Sequence, residues 1–308
     1  MPAPACRNSR RHPRHHPRSL KATRVYLAHF GLKEFPFGLT PDTGYFFPGN
    51  GAQAALNTLL VALESGEGLI KIVGEVGSGK TLLCRYLLNH LESQGWAAAY
   101  VPNPHLSPAA LNQALLTELG GEAGNIVKRS VAYGLTKALE IRLLELAQAG
   151  RPAVALIDEA QAMPLESLEA LRLITNLETE KRKLLQIVLF GQPELDSRLA
   201  DPSVRQIRSR IVFHEKITPL AAHETPVYLM HRVTQAGATG PLFTPAACRK
   251  LHQLSQGMPR LLNILAHKTL LLAFGEGLVQ AEPRHASLAA RDTPGARMPW
   301  WHFMLRAA

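Results

Sequence analysis

Cysteine is scarce in this 308-residue chain: Cys6, Cys84 and Cys248 are the only three. They fit no metal-ligand spacing and cannot form a framework of paired bridges. Neither a disulfide scaffold nor a zinc module is encoded, and a reducing, cytoplasmic setting is expected. Aromatic residues make up only 6% of the sequence. No apolar run reaches the about 18 residues a membrane-spanning helix needs, and the N-terminus lacks the apolar stretch of a secretory leader. Thirteen histidines include no H-E-x-x-H or other ligand pattern, and His12, His15 and His16 are not expected to hold a physiological metal. One-sided charge is also missing from most of the chain. The net charge is +10, but Arg7, Arg10, Arg11, Arg14, Arg18, Lys21 and Arg24 place seven positive charges within residues 1–24, which contain no acid. About +3 remains for everything that follows, so a DNA-binding face is not demanded.

What is present is an ordinary globular composition, 46% hydrophobic and 19% charged, in a chain long enough to bury a substantial core. Residues 1–24, rich in Arg, His and Pro, read as a disordered basic extension. Short apolar runs follow at Leu69–Val73, Trp96–Val101, Ala153–Ile157, Leu185–Phe190 and Ile211–His214. Helical spacing separates them, over about 52–64, 80–93, 108–119, 133–149 and 165–176. Continuous apolar strands alternating with helices predict a parallel sheet covered on both faces. From about Leu220 strand character ends. Helical patterning over 222–236, 245–255 and 259–274 predicts a small helical subdomain, and 281–308 is expected to be a loosely ordered tail. No repeat of 20–50 residues is visible.

Gly74-Glu75-Val76-Gly77-Ser78-Gly79-Lys80-Thr81 matches G-x-x-x-x-G-K-[ST] in full, between a strand and a helix. Glycines let backbone N–H groups curl around phosphates, and the helix N-terminus adds partial positive charge. Lys80 would reach the β- and γ-phosphates and Thr81 would bind Mg²⁺, with Leu82 completing the nucleotide-contacting run. Val154–Ile157 then leads into Asp158-Glu159. The first carboxylate is expected on Mg²⁺ and the second is placed to orient or deprotonate the attacking water. Gln192 directly follows the fourth strand and is either a γ-phosphate or water contact or a polar turn residue capping the next helix. Arg205, Arg208 and Arg210 could supply a cation to a neighbour's nucleotide or simply form a solvated helix face. Arg260, after Gly257-Met258-Pro259, would carry no weight as a lone arginine.

Together these segments resemble the AAA+ ATPases of the ExeA/GspA group. The resemblance runs from about Val25 to Gly277. It rests on Tyr26–Lys33, Pro36-Phe37 with Leu39–Asp42, Gly74–Cys84, Ile157–Ala162, Glu169–Lys183, Leu185–Asp196 and Gly257–Asn263. It implies an α/β P-loop NTPase fold of the AAA+ type, with a five-stranded parallel sheet over 25–219 and a C-terminal helical lid over 220–280. The fourth strand would lie between the first and third. It also implies ATP and Mg²⁺ as ligands, Asp158 and Glu159 as the Walker B pair, and Gln192 at the sensor-1 position. Arg210 becomes the arginine finger, with Arg205 and Arg208 as alternatives, and Arg260 the lid's sensor 2. A homo-oligomer is implied, with envelope or pilus assembly proteins as partners. ExeA-type members continue into a membrane span and a peptidoglycan-binding domain, neither recognisable here. The expectation therefore leans to the branch tied to biogenesis of the mannose-sensitive haemagglutinin type IV pilus, the MshM type.

The function expected is Mg-ATP hydrolysis in support of pilus biogenesis or type II secretion, in the cytoplasm or peripheral to the inner membrane. The alternative is a DNA-associated AAA+ ATPase of the transposition or initiator kind. The near-neutral body and the lack of a helix-turn-helix after Gly277 disfavour nucleic acid as a partner. Because the resemblance starts abruptly at Val25, and valine codons can initiate bacterial genes, the native chain is expected to begin there.

Overall fold

The computed structural model describes residues 25–121, 131–179 and 182–297. The basic extension 1–24 and the end of the tail, 298–308, lie outside the described residues. Five strands, β1 (Leu69–Gly74), β2 (Ala97–Val101), β3 (Ala153–Ile157), β4 (Gln186–Gly191) and β5 (Ile211–Ile217), form one sheet. It is parallel throughout, in the order β2-β3-β4-β1-β5. Helices α1 (Asn50–Glu64), α2 (Lys80–Ser93), α3 (Pro108–Glu118), α4 (Val131–Gln148) and α5 (Leu165–Ile174) cover its faces. Short helices α6 (Glu194–Leu199) and α7 (Arg205–Arg208) lead into β5. A C-terminal helical region, the expected lid, comprises α8 (Glu224–Gln235), α9 (Pro245–Ser255), α10 (Pro259–Gly275) and α11 (Pro283–Ala290).

Side chains of a strand alternate between faces, and the central strands are apolar on both. Ala155, Ile157, Ile187 and Leu189 point into a core with Leu111, Leu139 and Leu168 from α3, α4 and α5. Val154, Leu156, Val188 and Phe190 point the other way, onto Leu59 of α1 and Leu83 and Leu87 of α2. Register fixes the functional edge. Val73 pairs with Gly191 and Ile157 with Leu189, so the segments after β1, β3 and β4 leave the sheet side by side at its carboxyl end. That is where ligands bind in open α/β sheets.

Three features differ from the expectation. β5 continues past His214 to Ile217. It is an edge strand that alternates partly buried with exposed residues, so His214 and Lys216 hide it from a search for continuous apolar runs. The segment 26–45, expected within the α/β domain, packs instead with the lid: Tyr26, Phe30, Phe37 and Tyr45 share a core with Leu229, Leu251 and Leu265. Residues 281–297, expected to be loose, include α11, whose Ala286 and Ala290 join the core shared with α8, α9 and α10 and whose Ala289 is buried. Glu282 caps α11 reciprocally with His285, and Pro283 sits in its first turn, where its missing N–H costs nothing.

Candidate nucleotide site

The loop after β1 turns on two glycines. Gly77 and Gly79 hold φ of 82° and 99°, a region open to glycine at little cost. Glu75 and Val76 are exposed at the loop's tip, while Ser78 and Lys80 are buried. Lys80 opens α2, and its ammonium donates to the carbonyls of Gly74 at 2.7 Å and Glu75 at 3.0 Å. Burial pulls its pKa below the ordinary lysine value, opposed by the carboxylates of Glu159 and Asp158. A cation held only by loop carbonyls, at a helix N-terminus, is short of a full counter-charge. A phosphate would supply it. The Ser78 hydroxyl is buried without a partner in the same loop, a polar group whose desolvation is uncompensated.

Asp158 is 2% exposed. Burial raises its pKa, while hydrogen bonds from the Thr81 hydroxyl and the Glu159 backbone act in the opposite direction. Thr81 and Asp158 therefore present a hydroxyl and a carboxylate side by side. This all-oxygen pair fits Mg²⁺, which takes few protein ligands and completes its octahedron with waters and phosphate oxygens. Among the described residues no cluster of three or more His, Cys, Asp or Glu could hold a metal, so such an ion would depend on the nucleotide.

Glu159 adopts the left-handed backbone at φ 52°, and its Oε2 accepts from the Gln192 side chain at 3.0 Å. Gln192 thus reaches the Glu159 carboxylate, and its backbone N–H is taken by Gln161 at 2.9 Å. A cavity of about 200 Å³ joins Gly77, Lys80, Thr81, Leu82, Glu159 and Gln192 to Arg260 of the lid and to residues 38–42. Beside it, a more apolar recess of about 60 Å³ lies between Gly79, Leu82 and Leu83 and Tyr45, Phe47, Ile217 and Tyr228.

The arginines divide. Arg260 is exposed, lines the cavity, and donates its backbone N–H to Gly77 O at 3.1 Å. Arg210 is not at the cavity. It precedes β5, whose first residue pairs with Leu69 at the start of β1, and its guanidinium donates to Thr175 Oγ1 at 3.1 Å. It stands a strand's length, roughly 20 Å, from this chain's own phosphate loop. Arg205 and Arg208 are exposed on α7. Arg232, which lines the cavity, and Gln161, which contacts Glu159, escaped the sequence reading. Arg232 is 5% exposed; it donates to Pro36 O at 2.6 Å and Gly38 O at 3.2 Å, and lies 4.3 Å from the Tyr45 ring centroid. The signal for it was its place on the apolar face of α8, four residues after Tyr228. Gln161 is the other, with no signal beyond its nearness to Glu159.

Comparison with known proteins agrees with this geometry. The AAA domain family matches residues 63–199. General secretion pathway protein A of Aeromonas hydrophila is 37% identical over 273 residues, covering 89% of this chain and 49% of that protein. The chain therefore spans about half the length of that relative. Among solved structures, the ORC2 protein of Aeropyrum pernix in its ADPNP-ADP complexes matches with a TM-score of 0.60 at 18% identity, over 92% of this chain and 74% of that one. The Holliday junction branch migration motor RuvB of Thermotoga maritima gives 0.52 at 16% identity, over 78% and 67%. At such identities these structures speak to fold alone. The fold is that of the AAA P-loop proteins, with a helical C-terminal region.

Proposed function

From an AAA domain of the type carried by general secretion pathway protein A, we propose that the chain binds Mg-ATP and hydrolyses it to drive assembly of envelope machinery. One observation carries the enzymatic part of the reading: Lys80, Thr81, Asp158, Glu159 and Gln192, from three separate strand ends, converge at one edge of the sheet. Backbone N–H groups of Gly77–Lys80 and the Lys80 ammonium bind the phosphates, while Leu82 and the apolar recess receive the nucleoside. Thr81 and Asp158 hold Mg²⁺, which supplies charge neutralisation on the phosphoryl oxygens when bound. Glu159 orients the attacking water, Gln192 contacts it or the γ-phosphate, and Arg260 brings a cation from the lid.

The pathway rests on the 37% identity to a secretion-pathway protein. It supports type II secretion assembly or biogenesis of an MSHA-like type IV pilus by an MshM-type ATPase, acting as a homo-oligomer on the cytoplasmic side of the inner membrane. No helix among the described residues is long and apolar enough to cross a membrane. Steady-state ATPase assays with calorimetry test the enzymatic reading. Lys80→Ala is expected to lose nucleotide binding, and Glu159→Gln to bind ATP and lose turnover. Equal ATP affinity in Lys80→Ala and wild type overturns it. Pull-down from native membranes with the ATP-trapped Glu159→Gln protein tests the pathway. A salt-sensitive stimulation of turnover by DNA would instead favour the DNA-associated alternative.

A further inference from the structure

Glu159 is held by a frame that none of the roles above explains. β3 ends at Ile157, and Glu159, at φ 52° and ψ 37°, turns the chain back through a 3₁₀ turn over Ala160–Ala162. A residue with a side chain keeps that backbone only where its surroundings fix it. The turn brings Gln161 face to face with Glu159: Gln161 Nε2 donates to Glu159 Oε2 at 2.5 Å, while Gln161 Oε1 accepts from the Gln192 backbone N–H at 2.9 Å. The orientation of the amide is forced. A backbone N–H can only donate, so the oxygen of Gln161 must face Gln192 and its NH₂ must face the carboxylate. Gln192 Nε2 reaches the same Glu159 oxygen at 3.0 Å. The strand end leaves room for this bridge, since a Cβ on Gly191 would lie 3.3 Å from Gln161 Oε1.

Two amides therefore pin Oε2 of Glu159, and its Oε1 accepts nothing from the described residues, leaving it open to a water. We propose that Gln161 is the positioning residue of the hydrolytic site: it ties the Glu159 carboxylate to the end of β4 and so fixes the direction in which Oε1 meets the attacking water. The inference rests on the assignment of Glu159 as the water-orienting group. Gln161 touches neither substrate nor the reacting atoms and acts only through its neighbour.

The test is steady-state hydrolysis by the full chain, with nucleotide affinity measured by a fluorescent ATP analogue. Gln161→Met keeps the length and removes both hydrogen bonds. Gln161→Glu keeps the acceptor for Gln192 and sets a second carboxylate against Glu159. Each is made in wild-type and Glu159→Gln backgrounds. Misdirecting a reacting group by a fraction of an ångström to an ångström lowers kcat by about ten- to a hundredfold. That is the fall expected for both variants, with KM and analogue affinity within about twofold and Gln161→Glu at least as impaired as Gln161→Met. In the Glu159→Gln background neither is expected to lower the residual rate further, because the group it positions is gone. A kcat within twofold of wild type in both variants overturns the proposal. So does an equal loss in the two backgrounds, or loss of analogue binding by both variants, since each marks a general structural role. Wild-type turnover that survives Glu159→Gln overturns the assignment of Glu159 itself, and this proposal with it.

Discussion

Arg260 of the lid is seated directly on Gly77 of the phosphate loop: its backbone N–H donates to Gly77 O at 3.1 Å, and a Cβ on Gly77 would fall 2.7 Å from the Arg260 Cβ. Lid and loop meet backbone to backbone, with no space for one methyl group. Gly77→Ala would force a side chain into both that contact and a backbone at φ 82°, a strain of about 1–3 kcal/mol. ATP affinity is expected to fall by roughly tenfold or more, read by calorimetry. Unchanged affinity would show that the lid does not rest on the loop in the nucleotide-bound protein.

Asp158 gives a prediction of opposite sign. Its carboxylate is buried and its pKa is raised by that burial, so the ionised form weighs against folding in the absence of ligand. Asp158→Asn keeps an oxygen to accept from the Glu159 N–H while removing the charge. The metal-free variant is expected to melt higher than wild type, by about 2–4 °C for each kcal/mol gained, and to lose Mg²⁺-dependent turnover. Stability and activity would then part company at one residue, as they do where a site is built for function. Calorimetric melting of the two proteins without nucleotide checks it, and a lower melting point in the variant would contradict it.

Arg232 fastens the segment 26–45 to the lid by two hydrogen bonds to carbonyls and by its place over the Tyr45 ring. Arg232→Met removes both donors and leaves Pro36 O and Gly38 O facing the gap. Hydrogen bonds to a charged group contribute about 1.5–3 kcal/mol each, so a loss of a few kcal/mol is expected. The cleavage pattern should localise it, with limited proteolysis cutting first within 26–45. Arg232→Lys keeps the charge but not the planar fork, and should recover only part of the loss. Wild-type resistance to proteolysis in Arg232→Met would show that the apolar contacts of Tyr26, Phe30 and Phe37 suffice.

The sheet was largely legible because its strands are the short apolar runs between helices that parallel packing demands. β3 falls on the expected residues, and β1, β2 and β4 within one residue at either end. The glycine loop and the Asp158-Glu159 pair were legible because each is a local pattern tied to a strand end. What stayed hidden depends on contacts between distant segments. The lid's claim on residues 26–45 comes from Arg232, nearly 200 positions away in sequence from the Pro36 carbonyl it holds. The Gln161 bridge needs Gln192, 31 positions away, and the left-handed turn at Glu159. Neither leaves a periodic trace. The helix Pro283–Ala290 is a different case: a proline in the first turn, a capping glutamate and alanines at 286, 289 and 290 were visible, but the tail's arginines and prolines outweighed them.

Arg210 offers the sharpest test of assembly. It hydrogen-bonds Thr175 and stands at the opposite end of β1 from the phosphate loop of its own chain, so it cannot act on the nucleotide bound there. If it serves catalysis as a finger, it must do so across a subunit boundary, on a nucleotide held by a neighbour. An arginine in that role stabilises charge on the transferred phosphoryl group, and its loss costs about a thousandfold or more in turnover. Arg210→Ala is therefore expected to bind ATP with wild-type affinity and to hydrolyse it very poorly. Lys80→Ala should have the reverse defect, an intact Arg210 beside a loop that cannot hold nucleotide. Mixed, the two inactive proteins should regain part of the activity, since some interfaces pair an intact phosphate loop with an intact Arg210. Wild-type turnover per chain should also rise with protein concentration as subunits associate. No recovery on mixing, together with turnover independent of concentration, would remove Arg210 from the site. If Arg210→Ala proves fully active, the same mixing experiment with Arg205→Ala and Arg208→Ala decides whether either exposed arginine of α7 takes the role.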